Sequence, residues 1–162
     1  MGVALVTGGT SGIGAAFARL LAARGYDLVL VARSIDRLDE MAAELRALGR
    51  TVEVLSADLA DRGDVARVVD RLSDPSRPIE ILVNNAGFGM HASLLDTDVS
   101  EFDRGFEVMC RAVFVLSGAA ARGMVERGSG KIVNVSSTAG FLTMGSYSSI
   151  KAWVTSFTEG LS

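Results

Sequence analysis

A glycine-rich turn near the amino terminus is the first segment whose residue types suggest chemistry. It runs from Thr7 to Gly14, reads TGGTSGIG, and separates a short apolar run from an alanine- and leucine-rich segment. Glycines let a backbone approach a ligand closely and adopt positive φ, and the N–H groups that open a helix attract phosphate. The spacing is G-x-x-x-G-x-G rather than G-x-G-x-x-G. Its place between a first strand and a first helix predicts a pyrophosphate-binding turn, with an ordinary tight turn as the alternative.

The end of the second apolar run carries an arginine where a carboxylate is common. It reads Val31-Ala32-Arg33-Ser34. In dinucleotide-binding folds an acidic residue near this position binds the ribose hydroxyls, whereas an arginine accommodates a 2′-phosphate. The planar, charged guanidinium suits phosphate. Arg33 therefore predicts NADP(H) as the cofactor, with NAD possible; the alternative is a solvated surface arginine.

These segments must be positioned by a regular alternation of short and long elements. Five apolar runs, mostly continuous rather than alternating, predict strands buried on both faces, at residues 3–6, 27–31, 51–55, 79–83 and 131–135. Helices are predicted over 15–24, 35–48, 61–72, from 100 to about 123 or 127, and from 146 onward, with Ser34 capping the second. This order predicts an α/β fold, a Rossmann-like doubly wound parallel sheet in a single domain, residues 1–162.

Composition narrows the classes of partner. The formal net charge is −3 and the pI is near 5.2, so no basic excess exists to hold nucleic acid or an anionic membrane. One cysteine and one histidine exclude an intrachain disulfide and leave little for a transition-metal site. No stretch approaches the ~18 apolar residues that a membrane-spanning helix needs. We expect a cytoplasmic protein that binds no metal, nucleic acid or membrane.

Three further segments combine with the glycine turn. Asn84-Asn85-Ala86-Gly87 follows the fourth strand, Asn134-Val135-Ser136-Ser137 closes the fifth, and Tyr147-Ser148-Ser149-Ile150-Lys151 opens the last helix. Together, in this order, the four segments resemble the short-chain dehydrogenase/reductase family over essentially the whole chain. The resemblance implies an oxidoreductase that transfers a hydride between NADP(H) and a small carbonyl or secondary alcohol substrate, and that assembles as a homodimer or homotetramer.

The resemblance also implies roles for individual residues. Ser137, Tyr147 and Lys151 match the catalytic positions, and Ser137 is preferred over Ser136 because it lies three residues before Gly140. Asp58 matches the acidic residue that contacts the adenine. The residues expected to bind the cofactor are Gly8, Thr10, Ser11, Gly12, Ile13, Gly14, Arg33, Asp58, Leu59, Asn85, Ala86, Gly87, Tyr147 and Lys151.

The chemistry of the implied catalytic residues is physically sound. Tyr147 and Lys151 are four positions apart, so they share one face of a helix. A phenol ordinarily ionises near pH ~10, and a nearby ammonium stabilises the phenolate. A tyrosine in this setting can take a proton from an alcohol or give one to a carbonyl. Ser137 would hydrogen-bond the substrate oxygen, and Lys151 would also bind the nicotinamide ribose.

Three features depart from the family pattern. Met109 stands where the family usually carries an asparagine, and a thioether cannot make the strong hydrogen bonds that hold a proton-relay water. Ser137 and Tyr147 are ten positions apart, about three fewer than the family spacing. The last two strands of the family fold are absent, so the domain is expected to be incomplete at its carboxyl end. Either the protein itself is a fragment of the family fold, or this sequence covers only part of a longer protein. We favour the second explanation.

Other functions stay open alongside the enzyme. The departures favour a catalytically silent dinucleotide-binding module or scaffold. An epimerase or dehydratase using the same tyrosine and lysine is a third hypothesis, which the glycine spacing does not favour. Phe141, Leu142 and Met144 are expected to line an apolar wall near the reacting carbon, and Trp153 and Phe157 to be core or subunit-interface residues.

Overall fold

The computed structural model describes residues 2–93 and 95–161. Its strands are β1 (Val3–Thr7), β2 (Asp27–Ala32), β3 (Val52–Ser56), β4 (Ile79–Asn84) and β5 (Lys131–Asn134). Its α-helices are α1 (Gly12–Ala23), α2 (Ile35–Ala47), α3 (Arg62–Leu72), α4 (Ser100–Phe106), α5 (Ala112–Arg127) and α6 (Ser146–Glu159). A π-helical turn, Glu107–Arg111, joins α4 to α5, and a 3₁₀ turn, Thr138–Phe141, follows β5.

The strands form one parallel sheet in the order β3-β2-β1-β4-β5. The chain leaves β1 toward β2 on one side, and β4 lies on the other side, so the strand order reverses between β1 and β4. In such sheets ligands bind outside the carboxyl ends of the strands at this reversal. The glycine-rich turn follows β1 and the Asn85 segment follows β4, so the topology places both at the expected crevice.

Side chains of each strand alternate between two apolar layers. Ala4 and Val6 of β1 pack toward α1 and α2, whereas Leu5 packs toward α3, α5 and α6. Both layers are buried, which explains why the strands read as continuous apolar runs. The predicted doubly wound α/β fold is confirmed.

The helix boundaries agree with the predictions to within a residue or two, with one exception. α1 begins at Gly12 rather than at residue 15, because the last glycines of the turn already form its first turn. Ser34 is the N-cap of α2, as predicted, and its Oγ accepts a hydrogen bond from the N–H of Arg37 at 3.4 Å. Asp61, which we placed inside α3, caps it instead by accepting from the N–H of Asp64.

The helical run Ser100–Arg127 is long and apolar enough, by length and composition, to cross a membrane. A long helix was predicted here, but not one with this apolar composition. Within the domain 56% of its most apolar window is buried, and it packs on the sheet beside α3. Burial of this kind is typical of the central helix of an α/β domain.

Candidate cofactor and active site

The glycine-rich turn forms a tight cradle against the segment that follows β4. Gly8 and Gly12 have φ of +64° and +52°, which L side chains rarely adopt. A Cβ on Gly14 would collide with the carbonyl oxygen of Gly8 and with the Asn85 amide. The backbones therefore approach more closely here than any side chain allows. A cradle of this kind is suited to a pyrophosphate at the start of α1, where helix N–H groups have no partner inside the helix.

Two side chains lock the cradle to β4. The buried Thr7 Oγ accepts hydrogen bonds from the N–H groups of Asn85 and Ala86, both at 3.0 Å. The Asn85 amide in turn donates to the carbonyl oxygens of Thr7 at 3.1 Å and Gly8 at 3.3 Å. The Asn85 side chain therefore shapes the turn from beneath, and its position is fixed by the last residue of β1.

A cavity of about 540 Å³ opens beside this cradle. It gathers eight of the residues expected to bind the cofactor: Gly8, Thr10, Ser11, Arg33, Asp58, Leu59, Ala86 and Gly87. The other six expected residues are not part of its lining: Gly12, Ile13 and Gly14 begin α1, Asn85 holds the turn by its amide, and Tyr147 and Lys151 lie on α6. Its size and its mixture of apolar and polar walls suit a nucleoside half of a dinucleotide.

Arginines dominate the polar wall of this cavity. Arg33 lies at the end of β2, and Arg37 lies in the first turn of α2, three residues after the Ser34 cap. Arg104 reaches the same cavity from α4, where its guanidinium donates to both oxygens of the Asp58 carboxylate at 3.0 and 2.8 Å. Burial by itself would raise the pKa of Asp58, but the hydrogen bonds from Arg104 and the Ala60 N–H outweigh it and hold the pKa below its ordinary value.

Tyr147 and Lys151 share one face of α6, as the spacing predicted. The Lys151 ammonium lies 5.8 Å from the centre of the Tyr147 ring. It donates a hydrogen bond to the carbonyl oxygen of Val135 at 3.0 Å, and its side chain is only 5% exposed. Burial lowers the pKa of Lys151 below its ordinary value. The Lys151 side chain is therefore buried and anchored by a hydrogen bond rather than mobile at the surface.

The two adjacent serines after β5 form hydrogen bonds with different partners. Ser136 Oγ donates to the carbonyl oxygen of Lys151 at 2.9 Å and pairs with the Thr155 hydroxyl at 2.7 Å. Ser137 Oγ accepts a 3.2 Å hydrogen bond from the N–H of Ala139. Because the Ser136 hydroxyl is hydrogen-bonded to α6, Ser137 is the better candidate of the two for a hydrogen bond to a substrate.

The short connection between Ser137 and Tyr147 is closed by the 3₁₀ turn. A Cβ on Gly140 would lie 2.9 Å from the backbone of both Lys151 and Ala152. The turn thus packs directly onto the backbone of α6, which is how ten positions suffice to connect the serine to the tyrosine.

Met109 lies in the π-helical turn and is 1% exposed. A Cβ on Gly87 would lie 3.0 Å from its sulfur atom, so Met109 packs against the segment that lines the cofactor cavity. The neighbouring Cys110 is equally buried, and burial raises the pKa of its thiol to about 11 despite the opposing Lys151 charge. The site therefore has an apolar wall where the family usually has an amide.

Sequence reasoning missed three residues of this site. Arg37 could have been found, since a helix predicted to start at residue 35 places it in a first turn beside Arg33. Thr7 gave a weaker signal as the polar last residue of a buried strand. Arg104 gave none, because its contact with Asp58 joins positions 46 apart in the chain.

Comparison with known proteins agrees with this geometry. A family model described as short chain dehydrogenase matches residues 2–162. The chain belongs to the short-chain dehydrogenase family. The chain is 35% identical to 2,3-dihydro-2,3-dihydroxybenzoate dehydrogenase of Bacillus subtilis, in a match over 98% of this chain and 62% of the other.

The chain is also similar to many solved structures. A bulky-bulky ketone specific alcohol dehydrogenase from Comamonas testosteroni is 38% identical with a TM-score of 0.95, over 99% of this chain and 66% of that one. A short-chain dehydrogenase from Sphingobium yanoikuyae in complex with NADPH is 41% identical with a TM-score of 0.94, over 99% and 65%. The chain thus spans about two thirds of the length of these relatives.

Proposed function

We propose that this chain carries the cofactor site and the catalytic residues of an NADP(H)-dependent oxidoreductase that interconverts a carbonyl and a secondary alcohol. The observation that carries the proposal is the Tyr147–Lys151 pair. A buried ammonium is held 5.8 Å from a tyrosine ring, on a helix that packs against the π-helical turn. Val108 of that turn lines the cofactor cavity, so the pair lies close to where a nicotinamide cofactor would extend.

The residues of the cavity fit NADP(H). A pyrophosphate would lie on the glycine cradle, and Arg33 and Arg37 would hold a 2′-phosphate at the end of β2. The similar Sphingobium yanoikuyae structure contains NADPH, which supports the same choice. When bound, the cofactor would supply or accept the hydride.

The protein residues then have distinct tasks. Ser137 would donate a hydrogen bond to the substrate oxygen and hold it beside the tyrosine. Tyr147 would give its phenolic proton to the carbonyl oxygen during reduction and recover one during oxidation. Lys151, whose ammonium donates to the Val135 carbonyl beside the Tyr147 ring, would bind the nicotinamide ribose.

Replacing the tyrosine tests the catalytic assignment. Tyr147→Phe is expected to lower kcat by at least about 100-fold, the usual contribution of a general acid or base, and to leave NADPH binding nearly intact, because most of the expected cofactor contacts lie elsewhere. Tyr26→Phe is the matched control, because Tyr26 is the other tyrosine and packs in the opposite apolar layer. Equal turnover of the two variants would refute the role of Tyr147.

Replacing the arginines tests the cofactor assignment. Arg33→Ala and Arg37→Ala are each expected to weaken NADPH binding much more than NADH binding, as measured by cofactor fluorescence. A phosphate contact requires this asymmetry, because the two cofactors differ only in the 2′-phosphate. Equal losses for NADPH and NADH would contradict it.

A catalytically silent dinucleotide-binding module is the second candidate, and the apolar Met109 favours it. A buried thioether beside Gly87 cannot hold the water of a proton relay. Titration with NADPH beside a screen of carbonyl substrates separates the two functions. Tight binding without turnover of any carbonyl would support the silent module.

A bulky apolar carbonyl is the substrate class we propose. Phe141 and Met144, next to the catalytic segment, are 78% and 73% exposed. Phe141 and Leu142 line an apolar cavity of about 1010 Å³ together with Val99 and Phe102, beside the helix that carries Tyr147. The similar Comamonas testosteroni enzyme is named for bulky ketones. A bulky aryl ketone should be turned over faster than acetone; the reverse preference would overturn this choice.

Homo-oligomeric assembly and cytoplasmic location stay predictions.

A further inference from the structure

The Asp58 carboxylate is held in the cofactor cavity by three hydrogen bonds. The Oδ1 atom accepts from the Ala60 N–H and from Arg104, both at 3.0 Å, and Oδ2 accepts from Arg104 at 2.8 Å. The Asp58 backbone N–H is fixed separately, because it donates to Asp64 at 2.7 Å. Neither the backbone nor the carboxylate of Asp58 is therefore free to reorient.

Counting acceptor sites shows what this arrangement leaves open. A carboxylate offers about four acceptor positions, two on each oxygen. The Ala60 and Arg104 bonds occupy both positions on Oδ1 and one on Oδ2. Asp58 lines the cofactor cavity and its side chain is 34% exposed, so the remaining Oδ2 position can accept an N–H from a ligand. The exocyclic 6-amino group of adenine is such a donor.

We propose that Arg104 is a positioning residue for adenine recognition, acting through the Asp58 carboxylate. It fixes the two oxygens so that one acceptor site is kept for the 6-amino group. The inference rests on the proposed NADP(H) site and adds a residue to it. Arg104 lies on α4, which leads directly into the π-helical turn, so the helix that supports the active site also orders the adenine end.

The alternative role for Arg104 is a direct phosphate contact, because Arg33 and Arg37 line the same cavity. The two roles differ in a measurable way. A phosphate contact would make Arg104→Met weaken NADPH binding more than NADH binding. A positioning role makes the losses equal, because both cofactors carry the same adenine.

The experiment measures Kd by fluorescence for NADPH and for its hypoxanthine analogue, in which an oxo group replaces the 6-amino group. The unaltered chain is expected to prefer the adenine cofactor by about tenfold or more, as for a hydrogen bond to a charged acceptor. Arg104→Met and Asp58→Asn should reduce this ratio to near one, and Arg104→Lys should restore part of it. Arg62→Met is the matched control, since Arg62 forms an exposed ion pair with Glu107 of the same helical run.

Each outcome decides a different point. If the ratio stays at the unaltered value in Arg104→Met, or if this variant weakens NADPH binding while NADH binding is unaltered, the positioning role is wrong. If the unaltered chain binds NADPH without preferring adenine, the inference fails while the proposed function stands. If it binds neither cofactor, both fail. Should Arg104→Met not fold, as judged by circular dichroism, the ratios of Arg104→Lys and Asp58→Asn decide the inference.

Discussion

Replacing Thr7 with valine should disrupt the cofactor cradle while leaving the packing of the sheet in place. Valine has nearly the same shape as threonine, so the side chain fits the 1% exposed position without a cavity. What it lacks is the hydroxyl that accepts from the N–H groups of Asn85 and Ala86. Those two donors are left without a partner at the point where β4 enters the cofactor segment.

The expected magnitude follows from these two hydrogen bonds. Leaving a buried donor unsatisfied costs about 1–3 kcal/mol. Asn85 and Ala86 are partly exposed, so water can recover part of this, and we expect a total loss near 2 kcal/mol for Thr7→Val. Thr7→Ser is the control, because it keeps the hydroxyl and removes only one methyl group, which is worth about 1 kcal/mol.

Urea unfolding and cofactor fluorescence together provide the assay. With a slope near 2 kcal/mol/M, a loss of about 2 kcal/mol lowers the urea midpoint by roughly 1 M. Thr7→Val should also weaken NADPH binding, because the Asn85–Gly87 backbone loses its anchor, whereas Thr7→Ser should bind normally. A valine variant that is as stable as the serine variant and binds NADPH with unaltered affinity would refute the reasoning.

Three further outcomes follow from burial, packing and charge. Cys110, whose thiol pKa is raised to about 11 by burial, should resist iodoacetamide at pH 8 in the folded chain and react after denaturation; fast reaction of the folded chain would contradict its burial. Gly140→Ala should lower stability by about 1–3 kcal/mol because its Cβ meets the backbone of α6, whereas Gly89→Ala, with open space around it, should not; urea midpoints compare the two. Hydrogen bonds from Ser76 and Arg77 lower the pKa of Asp74 to about 2. The ionised carboxylate therefore stabilises the fold at pH values above its ordinary pKa, and this stabilisation is lost as the pH falls through about 2. An NMR titration midpoint near 4 would contradict the prediction.

The fold could be predicted because its determinants are local. Continuous apolar runs such as residues 3–6 favour burial on both faces, and the helical segments between them leave a parallel sheet as the arrangement that covers every strand. The start of α1 was missed because glycine has a poor intrinsic helix propensity, although Gly14 is held in its first turn by close packing against Gly8 and Asn85.

In the candidate site, too, the local features could be predicted and the long-range contacts could not. The glycine turn could be predicted from its spacing, and so could the helix face that Tyr147 and Lys151 share, although only the resemblance to the family implied their catalytic role. The partners of these residues could not be predicted. That Val135 holds the Lys151 ammonium, and that Ser136 is occupied by α6, depends on how β5 and α6 pack.

The fold class and the glycine cradle could be predicted from the sequence because each rests on local conformation or on short periodic spacing, whereas the residues expected in catalysis were implied by the resemblance to the family. The tertiary structure brings Arg104 to the cavity that Arg33 lines, since the packing of the long helical run on the sheet joins Arg104 to Asp58. It also decided that Met109 is a buried wall of the site. Contacts between distant positions arise from the burial of whole elements, and no pattern within one segment encodes them.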